Sequence, residues 1–176
     1  HIENRGSAQI KSSILLSALS TPGVTTIEEK KVSRNHTEIF LKKIKADITV
    51  KKLKNGNLIS LRGQKNLHSF DYTISSDPSS AAFLIALTLL TPNSKLVLNN
   101  VLCNETRIFF LKILKKVNAN IKISNLKNIS GEKVGSITVR SSKLKPITIS
   151  KDIGKLIDEL PILFVIAALT KGVSKF

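Results

Sequence analysis

An internal repeat with a period of about 70 residues constrains the fold of this chain more than any other feature of its sequence. Residues 7–19 form an apolar, helix-like stretch that runs into Thr21-Pro22-Gly23. Residues 77–87 form a similar stretch that runs into Thr91-Pro92-Asn93, and a third copy starts at residues 157–161. The chain is therefore expected to build similar units in succession.

The same order of elements is predicted for each copy. After the first helix comes a short β-branched run, at residues 24–27 and 96–98. A second amphipathic helix follows, at residues 35–45 and 104–117, and two further strands complete the copy. The unit reads helix, strand, helix, strand, strand, which places the chain in the α/β (or α+β) class.

The connections between the last two strands are predicted to differ between the copies. Asn55-Gly56 is a strong signal for a two-residue hairpin turn in the first copy. The second copy is expected to use a longer connection that contains Gly131 and Gly135. Alternating apolar and polar residues at 47–54 and 135–140 predict strands with one solvent-exposed face.

The chain has a formal net charge of +16, which attracts anions such as nucleic acid, anionic membranes or small phosphorylated substrates. Only five of its 28 basic residues are arginines, and aromatic residues make up 5%. Nucleic-acid sites rely on arginine and on stacking aromatics. The scattered lysine pairs are therefore interpreted mainly as solvated faces.

Several classes of protein and of site are excluded by what the sequence lacks. The single cysteine, Cys103, excludes a disulfide framework and a cysteine-based zinc site, and favours a reducing compartment. The histidines show no metal-ligand spacing, and no Walker or GxGxxG pattern occurs. The longest apolar run, residues 160–169, is too short to span a membrane and suits a buried helix. Because the sequence opens on His1 and has no methionine, we expect a piece of a longer chain.

The first candidate binding motif is Gly6-Ser7-Ala8-Gln9-Ile10-Lys11, at the start of a predicted helix. A hydroxyl, an amide, a lysine and backbone N–H groups at that place can hold an anion, because the helix dipole directs its positive end at them. An ordinary N-cap at Ser7 explains the serine as well. It does not explain Gln9 and Lys11.

The second candidate motif spans residues 33–38, in the turn between a strand and a helix. An N-cap at Ser33 or Asn35, with Glu38 completing a capping box, explains part of it. An arginine fork suits carboxylate or phosphate, so Arg34 also fits a ligand site. The residues alone leave both interpretations open.

The third candidate motif is Asp158-Glu159, directly ahead of the apolar run. Acidic residues are favourable at a helix start because of the helix dipole alone. Asp158 also fits a carboxylate that burial desolvates, with a raised pKa suited to a general base. A fourth motif, residues 104–107, mirrors the second in the repeat, and its Arg107 is expected to be structural.

Taken together, these motifs resemble one family. The set consists of Ser7-Ala8-Gln9-x-Lys11, Arg34-x-His36-x-Glu38, Asp77-Pro78-Ser79-Ser80-Ala81, Asn104-x-Thr106-Arg107 and Ile157-Asp158-Glu159-Leu160-Pro161. In this order and spacing it resembles the 3-phosphoshikimate 1-carboxyvinyltransferases (EPSP synthases), with forms seen in their class II branch. Any one motif is weak evidence, but five in order along the whole chain are specific.

The resemblance implies a fold and an activity. The family has two lobes built from repeated βαβαββ units in an inside-out α/β barrel, of which this chain would hold only about half. Residues 1–75 would be the last unit of the first lobe, and residues 76–176 one and a half units of the second. The family transfers the enolpyruvyl group of phosphoenolpyruvate to the 5-hydroxyl of shikimate 3-phosphate and releases phosphate. The resemblance implies a cytoplasmic monomer that needs no cofactor or metal and binds neither nucleic acid nor membrane.

The resemblance also implies roles for individual residues. Those implied to bind shikimate 3-phosphate are Ser7, Ala8, Gln9, Ser33, Arg34 and His36. Ser7 and the backbone would take the phosphate, and Gln9 would lie against the ring. Asp158 would accept the proton of the 5-hydroxyl, whereas Asp77 would be structural. Most of the phosphoenolpyruvate site and the general acid would lie outside these residues, so the chain alone is expected to be inactive.

Two alternatives remain open at the level of sequence. The UDP-N-acetylglucosamine enolpyruvyl transferases share the repeated fold and the enolpyruvyl donor, but the first two motifs argue against them. A basic RNA-binding or RNA-processing module on related repeats would carry a lysine stripe and bind with steep salt dependence. Saturable binding of shikimate 3-phosphate, as opposed to tight binding of RNA, separates the enzyme from that module.

Overall fold

The structure, a computed structural model, describes residues 6–176 of a chain that divides into two compact units, His1–Thr73 and Ile74–Phe176. Residues 1–5 of the predicted first unit, with the opening His1, lie outside the described residues. The assignment of the two units to the two lobes of a larger enzyme stays a prediction.

The first unit is a three-stranded antiparallel sheet with two helices. Its elements are α1 (Ala8–Ala18), β1 (Val24–Glu29), α2 (His36–Lys43), β2 (Asp47–Lys52) and β3 (Asn57–Arg62). β3 is the central strand and pairs with both β1 and β2. Leu15 of α1, Leu41 of α2 and Ile59 of β3 are completely buried, so the apolar faces of the helices and the sheet share one core.

The second unit repeats this arrangement and adds one helix. Its elements are α3 (Pro78–Leu90), β4 (Lys95–Leu102), α4 (Phe109–Lys116), β5 (Asn120–Ile129), β6 (Glu132–Arg140), a short 3-10 helix (Ile153–Lys155) and α5 (Leu160–Ala168). β6 lies between β4 and β5 and is antiparallel to both. Ile85, Phe110 and Ile137 belong to its buried core.

The predicted order of elements is confirmed in both units, and with it the α/β class. The start of α4 was predicted wrongly, because the helix begins at Phe109 rather than near residue 104. The side chain of Asn104 accepts hydrogen bonds from the N–H and the hydroxyl of Thr106 at 2.9 and 2.7 Å. These bonds hold the backbone in a turn that competes with the helix.

The first hairpin forms where it was predicted, but with a longer loop. Lys52 pairs with Asn57, so residues 53–56 make a four-residue loop rather than a two-residue turn. Gly56 has a φ of +97°, and its carbonyl accepts a hydrogen bond from the N–H of Leu53 at 3.0 Å.

The second hairpin is shorter than predicted. Ile129 pairs with Glu132, so β5 and β6 are joined by Ser130-Gly131 alone. Both turn residues have positive φ, the conformation that matches the twist of the flanking strands. Gly135 lies inside β6 rather than in the connection.

The predicted solvent-exposed face of β6 forms only toward the end of the strand, where Thr138 is half-buried and Arg140 is exposed. Three consecutive residues of this strand, Gly135, Ser136 and Ile137, are all buried. The reason is position, since β6 is the central strand of its sheet and lies in the core of its unit.

The apolar helix α5 is only partly buried, contrary to the prediction. Leu163 and Ile166 are buried, whereas Phe164, Val165 and Leu169 are 49%, 47% and 67% exposed. Within its unit the helix packs on one side, where it contacts α3. Among the described residues, no helix is both long and apolar enough to cross a membrane.

Candidate functional site

The first predicted motif forms the N-terminal turn of α1. The hydroxyl of Ser7, the N-cap, accepts a hydrogen bond from the N–H of Ile10 at 3.4 Å and donates one to Gln9 Oε1 at 3.2 Å. Ser7 and Ala8 are half-buried and Gln9 is exposed. Capping therefore accounts for Ser7 and leaves the positive end of the helix dipole at an accessible place.

The second predicted motif forms the turn between β1 and α2. The N–H and the hydroxyl of Ser33 donate to Glu29 Oε1 at 3.0 and 2.6 Å. Arg34 is half-buried in this turn, and His36, also half-buried, is the first residue of α2. The turn is thus fixed at its base by a buried carboxylate, while its other polar residues lie nearer the surface.

The structure brings these two motifs together. A Cβ on Gly6 would lie 3.3 Å from Lys31 Cδ, so the turn after β1 lies beside the residue that precedes the cap of α1. The hydroxyls of Ser12 and Thr37, 2.6 Å apart, join the N-terminal half of α1 to the first turn of α2. The two segments that carry the six residues predicted to bind substrate therefore lie side by side in the first unit. The six residues are Ser7, Ala8, Gln9, Ser33, Arg34 and His36.

Lys11 is buried under these motifs. Its Nζ lies 2.9 Å from Glu29 Oε1 and 2.6 Å from Glu38 Oε1, and its side chain is 1% exposed. A buried charge needs such partners because its desolvation is costly. The interpretation of Lys11 as a contact for an anionic ligand is therefore wrong, since two carboxylates of the chain already pair with it.

The predicted capping box at the start of α2 does not form. Asn35 is the N-cap residue, but its side chain makes no capping hydrogen bond. Glu38 is 4% exposed and binds Lys11 instead of the backbone at the cap. The buried ion pair is the physical reason that this carboxylate is directed inward.

Glu29 is a functional candidate that sequence reasoning missed. Besides Ser33 and Lys11 it binds Asn57, whose Nδ2 donates to Glu29 Oε2 at 3.2 Å. Burial by itself would raise the pKa of Glu29, but the hydrogen bonds from Ser33 and Lys11 and the charge of Lys11 hold the pKa below its ordinary value. One signal pointed to it: Lys11 shares a helix face with the apolar Leu15, and a lysine on a buried face requires a buried acid.

The second unit shows what the repeat places at the equivalent helix start. Asp77 is the N-cap of α3, and its Oδ2 accepts hydrogen bonds from the N–H and the hydroxyl of Ser80. Arg107 donates from Nη2 to Asp77 Oδ1 at 2.5 Å and to Ser79 Oγ at 3.0 Å. These contacts are compatible with the structural roles expected for Asp77 and Arg107, which stay predictions.

A carboxylate–amide pair ties the turn after the first strand to the third strand in both units. In the second unit Asn104 Nδ2 donates to Glu132 Oε2 at 2.9 Å. In the first unit Asn57, at the start of β3, donates to Glu29 at the end of β1. The carboxylate comes from the first strand in the first unit and from the third strand in the second unit, and the amide does the reverse. By this contact Glu29 of the first unit is matched with Asn104 of the second.

Asp158 belongs to the second unit and directly precedes the N-cap residue of α5. It is exposed, whereas its neighbour Glu159 is 3% exposed and accepts a hydrogen bond from the hydroxyl of Ser79 at 2.5 Å. The expectation that burial desolvates Asp158 is therefore wrong, because Glu159 is the carboxylate that the helix start buries. The catalytic role of Asp158 stays a prediction.

Neither metal ligands nor a reactive thiol are apparent in residues 6–176. No three His, Cys, Asp or Glu side chains of this part of the chain are grouped so that they could hold a metal ion. Cys103 is buried just after β4, and burial raises the pKa of its thiol. A buried thiol of this kind is a poor nucleophile.

Comparison with known proteins gives one consistent result. The family model of EPSP synthase (3-phosphoshikimate 1-carboxyvinyltransferase) matches residues 3–176. The 3-phosphoshikimate 1-carboxyvinyltransferase of Helicobacter pylori (strain G27) is 43% identical over 168 residues, 96% of this chain and 38% of the relative. That of Rhodopseudomonas palustris (strain BisA53) is 41% identical over 171 residues, with the same shares covered. The chain thus spans 38% of the length of these relatives.

Solved structures agree with the sequence relatives. An EPSP synthase from Acinetobacter baumannii matches with a TM-score of 0.83 and 35% identity, over 96% of this chain and 38% of that one. The family that matches is neither the sister transferase nor an RNA-binding module. The fold implied by the five motifs is therefore confirmed as a partial one.

Proposed function

Because this chain belongs to the EPSP synthase (3-phosphoshikimate 1-carboxyvinyltransferase) family, we propose that the complete polypeptide carrying it transfers the enolpyruvyl group of phosphoenolpyruvate to the 5-hydroxyl of shikimate 3-phosphate. The reaction would release phosphate. The family match over residues 3–176 is the observation that carries the proposal. The activity is assigned to the complete polypeptide because this chain spans 38% of its relatives.

The first unit is the proposed binding place of shikimate 3-phosphate, and the repeat supports this assignment. In the second unit the carboxylate of Asp77 lies at the start of α3 and binds Arg107. In the first unit the equivalent cap is the uncharged Ser7, and the residue equivalent to Arg107 is Arg34. A substrate phosphate bound there would supply the negative charge that Asp77 supplies in the second unit.

The remaining binding residues take roles that suit their chemistry. The Ser7 hydroxyl and the N–H groups of the first turn, including that of Ala8, would donate to phosphate oxygens. The exposed amide of Gln9 would lie against the ring. Ser33 and His36 flank Arg34 on both sides and would add polar contacts to the same substrate.

Asp158 is the proposed general base of the chemical step. Its carboxylate would take the proton of the 5-hydroxyl as that oxygen forms a bond to C2 of phosphoenolpyruvate. C3 would gain a proton from an acid outside this chain, giving a tetrahedral intermediate. Loss of phosphate from C2 and of a proton from C3 would then restore the double bond. The exposure of Asp158 supports this role, since a general base has to reach its substrate.

The proposal requires no cofactor. Addition and elimination form and break C–O and C–H bonds without net oxidation, so neither a redox group nor a metal is invoked. We further propose a cytoplasmic enzyme that is a monomer when full length and has small anions as its only partners. A single buried cysteine and the absence of clustered metal ligands in residues 6–176 are compatible with that proposal.

Calorimetric titration of the complete polypeptide with shikimate 3-phosphate tests the proposed function. Saturable binding is expected for the unaltered protein, and Gln9→Ala and Arg34→Ala should each weaken it. Arg140→Ala, which removes an exposed arginine of the second unit, is the matched control and should bind like the parent. Tight RNA binding at moderate salt without binding of shikimate 3-phosphate would refute the assignment.

A further inference from the structure

We propose that Lys11, Glu29 and Glu38 are positioning residues that hold the start of α1 and the β1–α2 turn in the arrangement that binds shikimate 3-phosphate. The inference rests on the proposed function and deepens it. None of the three residues would touch the substrate, since all of them are buried. They would act through Ser7, Ser33 and Arg34, which lie around them.

These three residues, called here the positioning cluster, connect three elements through the ammonium group of Lys11. Lys11 lies in the first turn of α1, and its N–H donates to the carbonyl of Ser7 at 3.3 Å. Glu29 is the last residue of β1, and Glu38 lies in the first turn of α2. By binding both carboxylates, Lys11 fixes both ends of the segment 30–37 to the helix that begins at Ser7.

Glu29 extends this constraint into the turn itself. Its Oε1 accepts hydrogen bonds from the N–H and the hydroxyl of Ser33, the residue immediately before Arg34. Hydrogen bonds to an ionised acceptor are short and strong, so they restrict the backbone at Ser33. The direction in which Arg34 leaves the turn is therefore set by the cluster.

The second unit is an internal control for what the fold requires. Leu15 and Leu41 of the first unit correspond to Ile85 and Leu114 of the second, and all four side chains are buried, which aligns the two helix pairs. On this alignment Ala81 and Leu111 stand at the positions of Lys11 and Glu38, and the carboxylate–amide contact described above matches Asn104 with Glu29. All three residues of the second unit are uncharged and buried.

The same fold is thus built with uncharged residues at these three positions, while the second unit carries its buried carboxylate on the other strand, at Glu132, and this is the central observation. Buried ion pairs are costly, and apolar groups of similar volume often replace them without loss of stability. Glu38 Oε2 has no hydrogen-bond partner among the described residues, so the cluster is not arranged for maximal stability. The cluster is present in the unit that carries the predicted binding motifs and absent from the other unit. Its role is therefore to position the binding residues accurately rather than to stabilise the fold.

The test is made in the complete polypeptide and replaces the three charged residues of the first unit by the residues found at the matching positions of the second. The variant Lys11→Ala/Glu29→Asn/Glu38→Leu removes all three charges together and leaves no unpaired ion. We expect a fold and a thermal midpoint close to those of the parent, with a dissociation constant for shikimate 3-phosphate raised about tenfold to a hundredfold. In steady state, the KM for shikimate 3-phosphate should rise more than kcat falls.

A charge-removal control comes from the chain itself. Glu105 and Lys112 form an ion pair of 2.7 Å whose side chains are 61% and 55% exposed, far from any predicted binding residue in sequence. Glu105→Gln/Lys112→Ala should leave the dissociation constant unchanged. Unchanged affinity in the folded triple variant would overturn the positioning proposal.

A second variant keeps the proposal testable should the first fail to fold. Lys11→Met/Glu29→Gln/Glu38→Gln removes the charges with little change of volume and keeps acceptors for Ser33. It should also bind shikimate 3-phosphate more weakly, and parental affinity in this variant would refute the proposal. Failure of the proposed function looks different, because the parent itself would then not bind shikimate 3-phosphate.

Discussion

Lys11 has no exposed surface, and its charge is tolerated only because Glu29 and Glu38 lie within hydrogen-bonding distance of it. One of the 28 basic residues is therefore neutralised inside the protein and contributes nothing to the attraction of ligands. Among the predicted binding residues, Arg34 is the one with a permanent positive charge. Binding at the proposed site would thus depend on where one arginine is held more than on the net charge of +16.

The ionisation of Glu29 makes the stability of the first unit depend on pH. The pKa of Glu29 is lowered in the folded chain from an ordinary value of 4.5, because the bonds from Ser33 and Lys11 outweigh the opposing effect of burial. A lowered folded pKa means that the stabilisation is complete above about pH 4.5 and is lost as the pH falls through the folded pKa. Protonated Glu29 would leave Lys11 with one ionic partner fewer.

Denaturant unfolding at about pH 6 and about pH 3.5 measures this effect. The parent should lose free energy of unfolding between the two values, and Glu29→Gln should lose distinctly less. Glu28→Gln, which alters the exposed neighbour on the same strand, should follow the parent. Equal losses in the parent and in Glu29→Gln would contradict the prediction.

At the scale of elements, the loop of the first hairpin packs against Glu29, one of the three residues of the positioning cluster. An ideal Cβ on Gly56 would lie 1.8 Å from the carbonyl oxygen of Glu29, and the φ of Gly56 is +97°. The hairpin loop therefore packs against the backbone of the residue that anchors the β1–α2 turn. Gly23 also has a positive φ, +87°, but an added Cβ there would meet no atom within 4 Å.

These two glycines form a matched pair for mutation. Gly23→Ala should cost about 1–2 kcal/mol of unfolding free energy, because only the left-handed backbone is strained. Gly56→Ala should cost clearly more, since the backbone of Glu29 has to move as well. Chemical denaturation of both variants provides the comparison, and equal costs would show that the loop yields without disturbing Glu29.

The helices and strands were predictable because the repeat presents each pattern twice. Alternation and 3.6-residue periodicity in one copy support the same element in the other, so the order of elements was predicted correctly. The loop lengths were not, since they depend on strand register. Ile129 pairing with Glu132 makes the second turn short, and no local signal at Gly131 or Gly135 states which partners will pair.

At the scale of the whole molecule, the second unit exposes a considerable apolar surface. Phe83, Leu84 and Leu87 on α3 are 54%, 48% and 64% exposed, and α5 exposes Phe164 and Val165. The formal surplus of positive charge is compatible with attraction of the two proposed anionic substrates, but it does not define where they would bind.

The chain by itself is predicted to have no transferase activity. It spans 38% of the relatives that it matches. Most of the residues that the resemblance implies for phosphoenolpyruvate binding, and the general acid, would lie outside it. Release of phosphate from shikimate 3-phosphate and phosphoenolpyruvate should stay at the uncatalysed rate when this chain is added. The complete polypeptide is the positive control, and measurable turnover by the 176-residue chain would refute the prediction.

The sequence by itself determined the repeat, the α/β class, the family resemblance and the two motifs predicted to bind substrate, because periodicity, caps and motif spacing are local properties. Only the tertiary structure decided which charged side chains of the motifs are buried and which groups pair with them. Lys11 was expected to contact a ligand, but it is buried and ion-paired. Glu38 was expected to complete a capping box, but it pairs with Lys11 instead. Asp158 was expected to be buried, but the buried carboxylate is that of Glu159. The physical reason is that burial and ion pairing depend on segments that are distant in sequence, so a charged residue acquires its role only when the fold has brought its partners to it.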